Sequence, residues 1–226
     1  MHQGQFIFSQ FISLIKKYEF DKCVNKYNGN YRTKDFKCWS QYLCMVFGQL
    51  TYRESVSGII NCLNAHKDKA YHLGIKKIVS VSALTRANEN RDWKIYRDFA
   101  HSLIILVRPL YVSDNEFTLD LDNTVYALDS STIDLCLATF YWAKFRKNKG
   151  AVKMHTLLDL WGNIPIFIEI TDGKVHAVNV LDNIVFENGA FYIMDKAYID
   201  FERLFEMKEA LAFFVGKLNS LSFFSC

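Results

Sequence analysis

The sequence predicts an α/β protein in which a helical N-terminal domain precedes a domain built around a mixed sheet. Apolar residues recur at helical spacing from residue 1 to about residue 112. From about residue 113 the spacing changes to that of strands, and the later elements follow the order three strands, helix, strand, helix, strand. We therefore place one domain at residues 1–112 and a second at residues 113–226.

Apolar periodicity in the first domain predicts a series of helices. They cover residues 6–15, 39–50, 54–65, 83–89 and 93–107. Ser82 and Asp92 stand where the N-caps of the last two helices are expected, because their side-chain oxygens can accept hydrogen bonds from the free amides of a first turn. Pro109 is expected to follow the last helix, since proline lacks the amide hydrogen that a helix interior uses.

Alternating and short apolar runs in the second domain predict strands separated by turn residues. Strands are predicted at residues 124–133, 152–159, 165–170, 191–194 and 212–215, with helices at 179–185 and 201–210. The link Gly162-Asn163 is short enough to join the second and third strands as a hairpin. In this order the first and fourth strands can lie side by side in the sheet.

Composition limits the protein class but says little about partners. The 226 residues include 27 basic and 24 acidic ones, a net charge of +3. The six cysteines form no CxxC pair, so reduced thiols in a cytoplasmic protein are expected rather than a disulfide or zinc framework. The N-terminus lacks the features of a signal peptide, and the longest apolar stretch is too short to span a bilayer. We expect a soluble, intracellular chain without a membrane partner.

Two aspartates each end a short apolar run, and they are the principal candidates for a site. Asp129 follows Val125-Tyr126-Ala127-Leu128, and Asp195 follows Phe191-Tyr192-Ile193-Met194. Adjacent strands would bring both carboxylates to one place, where they repel unless a cation or a proton intervenes. Two such carboxylates can hold a divalent metal ion for phosphoryl transfer. The alternative is that each is a strand-end residue accepting backbone hydrogen bonds.

A dense basic segment follows the first aspartate and interleaves cations with aromatic residues. Its cations, with one more on the next strand, are Lys144, Arg146, Lys147, Lys149 and Lys153. Cations give salt-dependent affinity for a phosphate backbone, and aromatic rings can stack on bases, so the segment is a candidate DNA contact. A solvated hairpin loop is the alternative.

The helices predicted around residues 53–65 and 82–91 form a second candidate DNA contact. If they acted as a helix-turn-helix-like pair, the polar residues of the second helix would face phosphates or base edges, namely Arg86, Asn88, Asn90 and Arg91. A plain helical bundle with a polar face explains the same pattern. His155 lies too far from Asp159 along a strand to share a metal ion with it easily, so a surface or packing role is expected for this histidine.

Several stretches together resemble the IS4 family of bacterial DDE transposases. They are residues 127–134, 142–146, 150–159, 170–176 and 192–198, with the N-terminal stretches 20–23 and 44–50. The resemblance implies a ribonuclease H-like catalytic domain in which Asp129 and Asp195 are the first two catalytic acids. It also implies Mg²⁺ or Mn²⁺ as cofactor, the terminal inverted repeats of a mobile element as the DNA partner, and a homodimer in the synaptic complex. Lys196 stands where the family often has arginine and is a further candidate DNA contact.

The sequence departs from the family after Asp195. The third acid of the family lies on a helix within a Tyr-Arg-Glu-Lys-type signature, which does not occur here. The resemblance therefore implies a catalytic domain that is truncated at its C-terminus and a transposase with impaired catalysis. The alternative is a non-catalytic DNA-binding or dimerising inhibitor fragment, or a pseudogene product.

Overall fold

The computed structural model describes residues 7–66, 75, 79–111, 123–135, 144–146, 149–218 and 221–224. The chain divides into two compact units, Met1–Ala100 and His101–Cys226, each with its own apolar core. The helical spacing of the sequence continues to about residue 112, whereas the boundary between the two units lies earlier, between Ala100 and His101. The helix Lys94–Tyr111 accounts for this difference, because its first turns belong to one unit and its later turns to the other.

The described part of the first unit is helical, as predicted. Its helices are α1 Ile7–Leu14, α2 Lys17–Lys26, α3 Cys38–Leu50, α4 Val56–Ala65, α5 Val81–Asn90 and the start of α6, Lys94–Tyr111. The predicted cap at Ser82 was wrong: Ser80 caps α5, and its hydroxyl accepts from the Ala83 amide at 3.2 Å. The predicted end of α6 was also wrong, since Pro109 lies inside the helix. A proline this close to the C-terminus of a helix removes only one of its last hydrogen bonds.

The core of the first unit lies where α3, α4 and α5 pack together. Its buried apolar residues are Leu43, Cys44, Ile59, Ile60, Leu63, Ile75, Val79 and Leu84. Gly48 of α3 lies at a close approach to α4, because a Cβ added there would meet Ile59 at 2.5 Å. This packing is that of a small helical bundle, and it leaves the opposite faces of the helices for other contacts.

The described part of the second unit contains one sheet of seven strands. They are β1 Val125–Leu135, β2 Lys144–Arg146, β3 Lys149–Asp159, β4 Ile164–Asp172, β5 Phe191–Met194, β6 Phe213–Leu218 and β7 Leu221–Phe224. The strands predicted from the sequence are all present. The additional strands β2 and β7 are three and four residues long, too short to give a clear period.

The sheet is mixed, with β1 at the junction between its antiparallel and parallel parts. The strand order is β2-β3-β1-β5-β6-β7, and β4 pairs with β3. Strands β1 and β3, β3 and β4, and β6 and β7 are antiparallel, whereas β1 and β5, and β5 and β6, are parallel. The predicted hairpin and the predicted neighbours β1 and β5 are thus confirmed. Helices followed by this sheet confirm the α/β fold class and are consistent with a ribonuclease H-like domain.

One face of the sheet is covered by short helical segments that close the core of the second unit. The helix α7, Phe201–Glu209, contributes Leu204 and Met207, and strands β1 and β5 contribute Tyr126 and Tyr192. The helix predicted at residues 179–185 is instead the 3₁₀ helix Ala177–Asn183. Tighter 3₁₀ winding is common where a connector is only a few residues long.

Candidate functional site

Two aspartates occupy equivalent positions on neighbouring parallel strands. Leu128 of β1 pairs with Met194 of β5, and the next residues are Asp129 and Asp195. Parallel neighbours are about 4.8 Å apart, so these residues flank the same point of the sheet. Both aspartates are exposed. The structure therefore brings together the two acids that the sequence selected.

Asp195 is also the N-cap of a short turn, the 3₁₀ helix Lys196–Tyr198. Its Oδ1 accepts from the backbone amide of Lys196 at 2.7 Å, which fixes the carboxylate at the sheet edge. The alternative of a strand-end residue that accepts backbone hydrogen bonds thus describes part of what Asp195 does. At Asp129 that alternative has no support, because no such bond to its side chain occurs among the described residues.

The aspartate pair suits a hard divalent cation. Among the residues that the structure describes, neither carboxylate takes part in an ion pair, so their like charges have no protein counter-ion there. Mg²⁺ prefers oxygen ligands and is often held by one or two carboxylates together with water and substrate phosphates. The described ranges contain no group of three or more histidine, cysteine or acidic side chains arranged for a metal ion. The pair therefore fits such an ion with two protein ligands.

A buried tyrosine stands next to the aspartate pair. The Tyr198 hydroxyl lies 2.9 Å from Nδ1 of His155, which pairs with Ser130 across β1 and β3. Burial raises the pKa of Tyr198, the Ser130 side chain lowers it, and the charges of Asp129 and Asp195 raise it further. One hydroxyl group therefore lies within the field of both carboxylates. Sequence reasoning missed this residue, whose only signal is its place three residues after Asp195.

His155 continues this polar connection into the sheet. It is fully buried, and its Nε2 lies 2.9 Å from the hydroxyl of Thr171 on β4. Burial lowers the pKa of His155, and the charge of Lys153 lowers it further. Of the surface and packing roles expected for this histidine, its position agrees with packing, and the two hydroxyl partners explain how a polar ring is tolerated there.

The candidate DNA contacts of the second unit lie on and beside strand β3. Lys144 and Arg146 form the ends of β2, which pairs irregularly with Lys149 and Gly150 of β3. Lys147 lies outside the described residues. Lys153 donates to the carbonyl oxygen of Val175 at 2.9 Å, so its ammonium group already has a protein partner. Lys196 is exposed directly after the second aspartate.

The two candidate arginines of the first unit differ in their surroundings. Arg86 is exposed on α5. Arg91 donates to Oε1 of Gln41 at 2.7 Å and to the carbonyl oxygen of Phe36, and it also lies over the Phe36 ring. The structure therefore directs Arg91 towards its own unit, while Arg86 faces solvent.

In the second unit, another group of acidic side chains is neutralised by an arginine. Arg108 lies 3.7 Å from the buried Asp159 and 3.5 Å from Glu187. Its Nη2 donates to the Tyr126 hydroxyl at 2.6 Å, and that hydroxyl in turn donates to Glu187. Asp159 also accepts from the Trp161 amide at 3.0 Å. Every polar group named here has a protein partner, which indicates a structural role.

Comparison with known proteins finds one domain match in the N-terminal part of the chain and another in the C-terminal part. Residues 3–76 match a domain of unknown function, DUF4372, and residues 120–222 match the family described as "Transposase DDE domain". A relative from Sinorhizobium fredii (strain NBRC 101917 / NGR234), named "Putative transposase y4zB", is 35% identical over 79 residues. That match covers 35% of this chain and spans 22% of the relative's length. None of the helices that the structure describes is long and apolar enough to cross a membrane. The sheet that carries Asp129 and Asp195 thus lies within the residues that match the transposase DDE domain model.

Proposed function

We propose that the chain acts in DNA transposition as a transposase of an insertion sequence, of the IS4 type that its motifs resemble. The observation that carries this proposal is that Asp129 and Asp195 directly follow the paired residues Leu128 and Met194 of adjacent strands, within the residues that match the transposase DDE domain model. This arrangement supports a role for the two carboxylates in binding a metal ion beside a DNA phosphate.

In this proposal the aspartates act as oxygen ligands held at the edge of a rigid sheet. The Lys196 amide holds one oxygen of Asp195, which leaves the other oxygen available to a ligand. When bound, Mg²⁺ or Mn²⁺ supplies the Lewis acidity that activates water or a DNA 3′-hydroxyl and stabilises the leaving oxygen. Asp129 contributes a carboxylate that forms no hydrogen bond or ion pair with the described residues.

The proposed DNA partner is the pair of terminal inverted repeats of the element, brought together by a homodimer. The β2–β3 hairpin supports this proposal, because Lys144, Arg146 and Lys149 follow one another along it. Lys147 and Lys153 extend the same basic segment, and Lys196 adds a cation next to the aspartate pair. The exposed Arg86 is a separate candidate in the first unit, whereas the contacts of Arg91 favour a packing role.

A second candidate function is DNA binding without efficient cleavage, as an inhibitor fragment or a pseudogene product. The observation that favours it is that the described residues bring two carboxylates together and not three. A site with two protein ligands leaves more of the coordination to water and phosphate, so we expect weak metal binding and slow cleavage.

A plasmid-nicking assay with Mn²⁺ tests the catalytic proposal. We expect slow nicking by the wild-type chain and none by Asp129→Ala or Asp195→Ala. Asp134→Ala is the matched control, since Asp134 is also an exposed aspartate of β1 but has no acidic partner on β5. If the wild type nicks no faster than Asp129→Ala, catalysis is excluded and the DNA-binding alternative remains.

Binding to DNA that carries the element's terminal repeats tests the proposed interface. A variant with Lys144, Arg146 and Lys147 changed to alanine should bind more weakly, and its salt dependence should fall by about 0.9 in log–log slope per lost contact. Changing the exposed Lys34, Lys37 and Lys208 to alanine removes the same charge elsewhere and should change the affinity much less. Equal affinity of the wild type and the first variant would remove the basic segment from the interface.

A further inference from the structure

We infer that Tyr198 is a positioning residue that sets the two aspartates relative to each other through its hydroxyl group. This inference rests on the proposed function of Asp129 and Asp195 as metal ligands, and it assigns no contact between Tyr198 and the metal or the DNA. It depends on a connected set of hydrogen bonds that begins at Asp195 and reaches β3 and β4 of the sheet.

The first step is that Tyr198 and Asp195 belong to one short turn. The Asp195 carboxylate accepts from the Lys196 amide at 2.7 Å, and the Asp195 carbonyl oxygen accepts from the Tyr198 amide at 3.0 Å. Two hydrogen bonds within four residues make this turn a compact unit. A movement of the Tyr198 side chain therefore displaces the residue that carries the second carboxylate.

The second step is that the other end of Tyr198 is attached to the strand beside that of the first carboxylate. The ring is buried, and its hydroxyl lies 2.9 Å from Nδ1 of His155 on β3. His155 pairs with Ser130, which directly follows Asp129 in β1. Tyr198 thus joins the turn of Asp195 to the strand that pairs with β1 next to Asp129.

The third step is that His155 is itself held on both sides. Its Nε2 lies 2.9 Å from the Thr171 hydroxyl on β4. A neutral imidazole has one donor and one acceptor, and hydroxyl groups can serve as either, so both ring nitrogens can be satisfied in one arrangement. Among the described residues no buried side-chain nitrogen or oxygen lacks a partner. A fully satisfied buried network of this kind resists rearrangement, because breaking one bond leaves a polar group unpaired.

The expected consequence is a preorganised distance between the two carboxylates. Groups that orient metal ligands without touching the metal typically change affinity or activity by about 10- to 100-fold when they are removed. Without the Tyr198 hydroxyl, the turn that carries Asp195 loses its hydrogen bond to His155 of β3. Binding of a metal ion would then have to fix the position of Asp195 relative to Asp129. The free energy that this ordering costs would weaken the affinity for the ion.

Tyr192 offers a matched control within the same core. It is as buried as Tyr198, and its hydroxyl accepts a hydrogen bond from the Glu187 amide at 2.9 Å. The substitutions Tyr198→Phe and Tyr192→Phe therefore each remove one buried hydroxyl group and retain the ring. Only the first removes a hydrogen bond between the turn that carries Asp195 and the strand β3 that pairs with β1 next to Asp129.

The test is Mn²⁺ binding to the full 226-residue chain, measured by electron paramagnetic resonance together with thermal unfolding. We expect Tyr198→Phe to raise the Kd for Mn²⁺ by about tenfold and to change the spectrum of the bound ion. Tyr192→Phe should leave both at wild-type values, while the two variants unfold at similar temperatures.

Two results would overturn the inference. One is a wild-type Kd and spectrum for Tyr198→Phe, and the other is an equal weakening by Tyr192→Phe, which would indicate a general loss of stability. Asp129→Asn and Asp195→Asn serve as separate arms. If they leave Mn²⁺ affinity unchanged, the proposed metal site itself fails, whereas a loss in these arms without a loss in Tyr198→Phe rejects the positioning role alone.

Discussion

Two buried tyrosines of the second unit each lie near two acidic side chains, but the acids differ in what balances their charge. At Tyr126, Asp159 and Glu187 both face the guanidinium group of Arg108. At Tyr198, Asp129 and Asp195 have no ion pair in the described part of the chain, and both are exposed. Both acids of the first group are paired with Arg108, and one of them, Asp159, is buried, whereas both acids of the second group are accessible and have no ion pair among the described residues.

This difference separates acids that hold the fold from acids that are available for chemistry. A buried carboxylate without a partner costs considerable free energy, so Asp159 requires Arg108. Two exposed carboxylates at the edge of a sheet cost less, and they can accept an external cation without first breaking an internal ion pair. The same sheet thus carries a structural acid pair and a candidate metal-binding pair.

The largest effect is expected when Arg108 is replaced by methionine. Asp159 would then stay buried without its cation, at an expected cost of about 2–3 kcal/mol in the free energy of unfolding. Asp195→Asn, which removes an exposed charge, should cost less than about 0.5 kcal/mol. Hydrogen exchange of the β1 amides under urea measures the free energy of unfolding of both variants. Equal losses of stability in the two variants would remove the distinction between the structural acids and the available ones.

A smaller effect is expected for a paired acid of the first unit, Asp98. Its carboxylate bonds Lys26 at 2.6 Å, the Tyr27 hydroxyl at 2.7 Å and Arg97 at 2.8 Å. The hydrogen bond from Lys26 is the main cause that holds the pKa of Asp98 well below its usual range, against the opposing effect of burial. Asp98→Asn should therefore cost about 1 kcal/mol of stability at pH 7.

The pH dependence of the Asp98 contribution has a definite sign. Because the folded pKa is lowered, the stabilisation is complete above the unfolded value of about 3.9 and is lost as the pH falls towards the folded pKa. The difference in urea midpoint between the wild type and Asp98→Asn should be equal at pH 7 and pH 5 and smaller at pH 3. A difference that grows on acidification would contradict this assignment.

The smallest expected effect concerns His155 in the buried network. Its pKa is lowered by burial, so protonation favours the unfolded chain, and stability should fall as the pH drops below about 6.5. His155→Gln should remove part of the slope of stability against pH between 7 and 5, whatever its effect at pH 7. His176→Gln, at an exposed histidine, serves as the control for the loss of a histidine outside this network. Equal slopes in the wild type and His155→Gln would show that the ring titrates normally.

Much of the fold and the aspartate pair could be predicted from local patterns in the sequence. Strand periodicity was sufficient for β1 and β5, and the order of elements allowed them to be neighbours, which placed Asp129 beside Asp195. Local signals were weaker at segment ends, where Ser80 rather than Ser82 caps α5 and the helix continues past Pro109.

Contacts between distant residues could not be predicted in this way. Three contacts join residues of separate elements that lie 43 to 51 positions apart in the sequence. They are the contacts of Arg91 with Gln41, of Arg108 with Asp159 and of His155 with Tyr198. Nothing in the spacing of these residues distinguishes a paired side chain from a free one. The sequence therefore indicated which carboxylates meet but not which of the neighbouring polar groups orient them.

The most direct test of the account is a calorimetric titration of the full chain with Mn²⁺. We expect the wild-type chain to bind Mn²⁺, and we expect this binding to weaken at least about tenfold in Asp129→Asn and in Asp195→Asn. Arg108→Met should bind with the wild-type Kd at a temperature where it remains folded, since its acids belong to the structural group. Unchanged Mn²⁺ binding in both aspartate variants, or a loss confined to Arg108→Met, would contradict the assignment of the exposed pair as the metal site.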